Sequence, residues 1–240
     1  MIDEFRSRPR EEASEKIEFY IIQNQLKPHD KLPSERDMCT MWGFNRTTLR
    51  GAIQNLIILG KLYNKKGSGT YVAPNKLERD LQDLKPFSAT VLEAEKNLET
   101  KVVSKRILES TKQISQRLKI LLGHRVLELI RVRIVDDEPI MIEISYLDYE
   151  KFQRLDEYDF SKESLYKVIE KNYDIKIEKG NEKIGITYAT EDEAELLQIK
   201  EGEPLYFLTG VVTDDQGFPV EYFKSVSRAD KIRFSSRLTR

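Results

Sequence analysis

The sequence is poor in the residues that carry metal and covalent chemistry. It holds one cysteine, Cys39, and two histidines, His29 and His124, in 240 residues. A single thiol excludes an intramolecular disulfide and gives no sign of secretion. One Cys and two His fall short of a structural zinc set, so no metal and no cofactor are expected. No apolar run reaches the ~18 residues of a membrane span, and the first ten residues are charged throughout, so neither a span nor a signal peptide is expected. Neither GxGxxG nor a Walker sequence occurs, so nucleotide binding has no motif. Hydrophobic residues at 39% and aromatics at 9% suffice for a core and argue against whole-chain disorder. The expectation is a soluble, cytoplasmic chain of one large domain or two ordinary ones.

The most informative absence is local. Lys+Arg number 40 and Asp+Glu 41, so the chain as a whole is nearly neutral. Yet Met38 to Leu77 contains no Asp or Glu, while it carries Arg46, Arg50, Lys61, Lys65, Lys66 and Lys76. Residues 1–75 are net +3 and the remainder net −4. A basic window on a neutral chain is the footprint of a phosphate-binding surface, unless the gap in acids is chance.

The pattern inside the window decides between these. Ala13, Ile17, Tyr20, Ile21 and Asn24 recur at helical spacing and predict a helix over Glu11–Gln25. Pro28 and Pro33 mark a loop. Ser34-Glu35-Arg36-Asp37 reads as a capping-box start, Met38, Met41 and Trp42 as the buried face that follows, and Gly43 as a left-handed stop. Asn45 caps a third helix, Arg46–Leu59, with Leu49, Ala52, Ile53, Leu56 and Leu59 inward. Two short strands, Lys61–Asn64 and Thr70–Ala73, flank a basic glycine tip. Helix, turn, helix and basic hairpin in that order form a DNA-reading arrangement. Taken singly, each Arg or Thr would be an ordinary surface residue.

Three motifs carry a resemblance: Leu32-Pro33-Ser34-Glu35-Arg36, Asn45-Arg46-Thr47-Thr48-Leu49-Arg50 and Gly67-Ser68-Gly69-Thr70-Tyr71-Val72. Their spacing resembles that of the GntR family of bacterial transcription regulators. The resemblance implies a winged helix-turn-helix in which Ser34 and Arg36 touch the DNA backbone or a base edge. Arg46, Thr47, Thr48 and Arg50 would enter the major groove, and Lys66 and Gly67 would carry the wing into the minor groove. Gly51 stands where a long polar residue is usual, and Ile57 and Ile58 are more apolar than expected.

The charged stretch 74–86 reads as a linker between residues 1–73 and a second domain, 87–240. In that domain Val102–Leu108, Val126–Val135, Ile140–Leu147, Ile175–Tyr188, Leu205–Thr213 and Val220–Val226 read as strands. Asp136–Pro139 and Asp214–Gly217 are hairpin turns, and Ser161–Lys171 and Glu191–Ile199 are helices. The fold class expected is α+β with an antiparallel sheet. Arg131 and Arg133, two apart on a strand, leave the same face and call for a bound anion or for carboxylate partners. Glu143 and Asp230 are candidates for the second role, so an anion site and a structural ion network both stand open. Ser164 and Tyr166 fall in the first turn of the 161–171 helix, where an anion is favoured.

Arg131-Val-Arg133, Glu143-Ile-Ser145, Ser164-Leu-Tyr166, Gly217-Phe-Pro219-Val-Glu221-Tyr222 and Arg228-Ala-Asp230 resemble the UTRA ligand-sensing domain of the HutC branch of that family. The resemblance implies a chorismate-lyase-like fold, a homodimer, and a pocket for a small effector, in its sugar-phosphate members built at the positions of Ser88, Arg131, Arg133, Glu143, Ser164, Tyr166, Tyr222 and Arg228. The chain then reads as a repressor released from a palindromic operator by a small phosphorylated sugar, or by an amino acid or small organic acid. An enzyme is the competing class. The fold invites it, but a fold does not establish a function, and only His124 lies in the second domain.

Overall fold

A computed structural model describes residues 9–82 and 85–236. The chain divides into two compact units, Met1–Lys76 and Leu77–Arg240.

The first unit holds α1 (Pro9–Gln23), α2 (Glu35–Trp42) and α3 (Arg46–Ile58), then a hairpin of β1 (Leu62–Lys65) and β2 (Gly69–Val72). Pro9 opens α1, where its missing N–H leaves no bond unmade. The Ser34 hydroxyl accepts the Asp37 N–H (3.2 Å) and donates to the Asp37 carboxylate (2.6 Å). The expected capping box is thus a hydroxyl–carboxylate pair. Gly43, at φ 73°, closes α2 with its N–H on the Cys39 carbonyl. Asn45 Oδ1 accepts the Thr48 N–H at 2.8 Å and starts α3. Ala13, Ile17, Met38, Leu49, Ile53 and Leu56 form the core these helices share. Two residues read as inward are not: Met41 is 49% exposed and Leu59 46%. Trp42 takes the inward position at the end of α2, and Leu59 lies beyond the last residue of α3.

The second unit begins with β3 (Leu77–Asp80) and α4 (Phe87–Glu93). There follow β4 (Leu98–Glu109), α5 (Lys112–Leu118), β5 (Arg125–Val135), β6 (Glu138–Asp148) and α6 (Leu165–Tyr173). The chain continues with β7 (Ile177–Tyr188), α7 (Glu191–Leu197), β8 (Pro204–Asp214), β9 (Pro219–Arg228) and β10 (Ile232–Ser235). Six strands form one antiparallel sheet in the order β4-β5-β6-β9-β8-β7. Asp136 and Asp137, both at positive φ, make the two-residue turn between β5 and β6. Helices cover both faces. On one, α5 and α7 pack over Val126, Val132, Ile142 and Tyr146. On the other, α6 packs over Leu127, Leu129, Phe152 and Phe160.

The stretch read as a linker is largely part of the second unit. Leu77–Asp80 pairs in parallel with Ile232–Ser235, and Leu77 and Ile232 are buried with Phe87, Val91, Val135 and Ile140. One apolar residue in Leu-Glu-Arg-Asp carries no local strand pattern, and its partner lies at the other end of the unit. The helix expected from Ser161 starts at Leu165, because the Asp159 carboxylate accepts both the N–H and the hydroxyl of Ser161 and holds 159–163 in a turn. Helices α4 and α5 were not anticipated.

Gly210 on β8 lets the sheet close beneath the cleft described below. A Cβ there would lie 2.6 Å from the Asn181 carbonyl oxygen and 2.7 Å from the Phe223 ring. Gly210→Ala is expected to destabilise the second unit by ~1–3 kcal/mol through overpacking. Denaturant unfolding checks this, and an unchanged midpoint would show that Asn181 and Phe223 yield freely.

Candidate functional site

Two sites emerge, one in each unit. In the first, Arg46, Thr47 and Arg50 are exposed on the first turns of α3 and Thr48 is half-buried. No acidic residue stands in that first turn. Arg50 pairs with Glu35 of α2 at 3.0 Å, a pair exposed enough to open without large cost. Arg36 and Ser34 are exposed at the start of α2, but the Ser34 oxygen is engaged in the cap. Lys66 and Gly67 lie exposed at the hairpin tip, with Gly67 at φ 73°. A Cβ at Gly51 would stand 2.7 Å from Arg10 Nε, the far end of an exposed side chain that can move aside, so packing does not demand glycine there. The surface offers exposed cations, hydroxyls and a helix N-terminus on one short stretch of chain, a set suited to phosphates and base edges.

In the second unit the sheet face under α6 opens into a cleft of about 880 Å³. β5 supplies Arg131 and Arg133, and β6 lays Glu143 opposite Arg131. One carboxylate oxygen, Glu143 Oε2, accepts from both guanidiniums: from Arg131 Nη2 at 2.7 Å, and from Arg133 Nη2 and Nε at 2.7 and 3.2 Å. Arg133 also donates to Thr100 of β4 (2.9 Å), and Arg131 more weakly to Ser145 (3.3 Å). Arg131 is only 2% exposed, yet its Nε and Nη1 have no hydrogen-bond partner. The ion network open in the sequence is therefore real through Glu143, while Asp230 pairs with Arg228 instead. That network leaves buried donors unused.

The electrostatics follow. Burial raises the Glu143 carboxyl, but the Arg133 and Arg131 charges outweigh it and hold the group down at about 2. Arg79 of β3 adds to that field. Burial and the neighbouring Glu143 charge push the Glu221 carboxyl of β9 up, against hydrogen bonds from Ser145 and Tyr166. The Tyr166 hydroxyl donates to Glu221 Oε2 at 2.6 Å, and burial with that charge raises the phenol well above its ordinary range.

Of the eight residues expected at the effector site, Ser88, Arg131, Arg133, Glu143, Ser164 and Tyr166 line this cleft. Ser164 is the N-cap of α6 and its hydroxyl makes no capping bond. Tyr222 and Arg228 are outside it. Strand alternation turns Tyr222 to the opposite face, stacked on Tyr146 at 5.7 Å. Arg228 is held by both carboxylate oxygens of Asp230 and by the Pro139 carbonyl. Sequence reasoning missed Glu221, Arg79, Thr100 and Ser225 of the lining. A lone Glu in the otherwise apolar start of β9 was the available signal for the first.

Glu143→Gln tests the network. The Glu143 charge contributes stability in full above the ordinary carboxylate value of 4.5 and loses it as pH falls toward 2. The variant should be ~3–5 kcal/mol less stable near neutrality, with two buried guanidiniums left facing each other. Its stability should also fall less steeply between those pH values. An equally steep acid limb would overturn the assignment.

Comparison with known proteins bears on both sites. The profile described as bacterial regulatory proteins, gntR family, matches residues 9–72, and that of the UTRA domain matches residues 93–233. The HTH-type transcriptional repressor NagR of Bacillus subtilis is 31% identical over 222 residues, 92% of this chain and 90% of that protein. The probable fructoselysine utilization operon transcriptional repressor of Escherichia coli K12 is 27% identical over 88% of this chain and 87% of its own. The crystal structure of PhnF from Mycobacterium smegmatis aligns with a TM-score of 0.72 at 22% identity, covering 95% of this chain and 99% of PhnF, which shows a shared fold.

Proposed function

This chain belongs to the GntR family of bacterial regulatory proteins, with the UTRA domain of its HutC branch, and from that premise we propose that it is a homodimeric repressor released from a palindromic operator by a small phosphorylated sugar. It is a DNA-binding transcriptional regulator and not an enzyme, by both of its domains and by its relatives. No helix among the described residues is long and apolar enough to cross a membrane.

In this reading α3 enters the major groove with Arg46, Thr47, Thr48 and Arg50. Arg36 and Ser34 lie at the backbone, and the tip at Lys66 and Gly67 reaches the minor groove. Arg46→Ala should weaken operator binding by ~1–3 kcal/mol and relax specificity at the base it reads. A gel-shift series over single-base operator variants checks this, and unchanged affinity with unchanged base preference would displace α3 from the groove.

The observation that carries the effector reading is a cleft of ligand size lined by both Arg131 and Arg133, with two buried nitrogens of Arg131 left without a hydrogen-bond partner. A dianion set against Arg131, Arg133, Ser88 and the uncapped start of α6 meets donors of the right kind. Glu143 and Glu221 supply acceptors for hydroxyls. Ligand occupancy reaches the incoming chain through Arg79. Its guanidinium stands on Glu182 at 3.1 Å, shares the cleft wall, and lies on β3, which begins at the unit boundary. An anion in the cleft competes with Glu182 for it.

A thermal-shift panel of sugar phosphates, each beside its free sugar and joined by amino acids and organic acids, tests this reading. The true effector at ~100 times its Kd should stabilise by about 2.7 kcal/mol. Arg133→Ala should abolish that shift and leave operator affinity intact, whereas Arg79→Ala should reduce the shift without abolishing it and blunt release from the operator. A shift with an amino or organic acid alone would keep the regulator and replace the sugar. No shift from any anion would return Arg131 and Arg133 to a structural role.

A further inference from the structure

The six-stranded sheet has two edges, β4 and β7, and among the described residues each pairs on one side only. A long unpaired edge is a template for another strand unless charge, a bulge or a cover blunts it. β4 is blunted: Lys101, Lys105 and Arg106 lie along it, and a bulge between Val102 and Ser104 breaks its line. β7 is blunted only in its first half, by Glu178, Lys179, Glu182 and Lys183 and a bulge between Ile177 and Lys179. Its second half runs Ile184-Gly-Ile186-Thr-Tyr188. Ile184 is 43% exposed, Ile186 74% and Tyr188 68%. All three leave one face, since Ile184 lies opposite Leu208, Ile186 opposite Tyr206 and Tyr188 opposite Pro204.

We propose that this half of β7 is the dimer contact, an antiparallel pairing with β7 of a second copy about a two-fold axis at Gly185, which joins the two sheets edge to edge. The proposal rests on the homodimer reading above and specifies its surface. The choice of a second copy comes from the strand's own complementarity. With Gly185 on the axis, Ile184 meets Ile186 of the second copy twice over, so four isoleucines cluster on one face. On the other face Lys183 meets Thr187 of the second copy, and at the rim Glu182 meets Tyr188 of the second copy. No like charges stand opposite one another. Moving the axis to Lys183 would set two lysines face to face. A one-residue slip relative to the sheet would turn the apolar residues to the wrong side, so the register is defined. Gly185 has room: a Cβ there meets nothing within 4 Å.

Sedimentation velocity on the full chain and disulfide capture form the test. Ile184→Glu with Ile186→Glu should raise the dimer dissociation constant by roughly a hundredfold or more, since two hot-spot positions are lost on each side. Both residues are exposed, so the circular dichroism spectrum should be unchanged, and any fall in melting temperature should be the concentration-dependent one that loss of the dimer brings. Gly185→Cys in a Cys39→Ser background needs no disruption and should cross-link across the axis on mild oxidation, because directly opposed strand residues stand within disulfide range. Val103→Glu on the β4 edge should leave the dimer intact. A wild-type dimer that survives the double substitution and fails to cross-link would overturn this surface while leaving the homodimer. A wild-type monomer would overturn both.

Discussion

The second unit is organised around one oxygen atom. Glu143 Oε2 accepts from two guanidiniums on the adjacent strand, while Glu221, the other carboxylate near Arg131 on that face, acts on it only through its charge. Two like charges two residues apart on a mostly buried sheet face would repel and lose hydration together, so Glu143 is what permits them there. Such a cluster does not stabilise a fold better than well-packed apolar side chains would. What it provides is orientation. Thr100 fixes one end of Arg133 and Ser145 leans on Arg131, and the donors left over are held still before any ligand arrives.

The sheet keeps that cluster apart from the rest of the core by strand alternation. The face under α5 and α7 is filled by Val126, Val132, Ile142 and Tyr146. The face under α6 is divided. Leu127 and Leu129 continue its apolar core, and the next two inward positions of the same strand are the arginines. One strand thus carries core at one end and site at the other. α6 serves both, burying Leu165, Val168 and Ile169 while Ser164 and Tyr166 at its start face the cleft.

The parts legible in the sequence were those whose cause is local. Caps at Ser34 and Asn45, the left-handed Gly43 and the Asp136-Asp137 turn depend on neighbours within four residues. The i, i+2 spacing of Arg131 and Arg133 needed only strand parity. What failed was set by distant partners. Nothing in Leu77–Asp80 announces a parallel match with Ile232–Ser235. Tyr222 and Glu221 stood in one motif, and the motif could not say which faced inward; packing against Tyr146 decided it. Arg228 was drawn by position, but Asp230 two residues on is its partner. Arg79 was hidden because the stretch holding it read as a connector.

The energetics limit how the cleft can act on the operator. Carrying a two-state equilibrium from one extreme to the other takes about 5.5 kcal/mol of differential ligand affinity. Exchanging the Arg79–Glu182 bond for an Arg79–anion bond supplies at most the ~1.5–3 kcal/mol of a charged hydrogen bond, and less once the lost Glu182 contact is subtracted. Arg79 alone therefore cannot operate the switch. In the proposed switch the remainder has to come from contacts made in only one arrangement. Ser88, on the short helix that follows the same β3 segment, also lines the cleft. A ligand that only filled the floor would bind and change nothing. In the proposed switch, release requires a ligand that binds the two arrangements unequally.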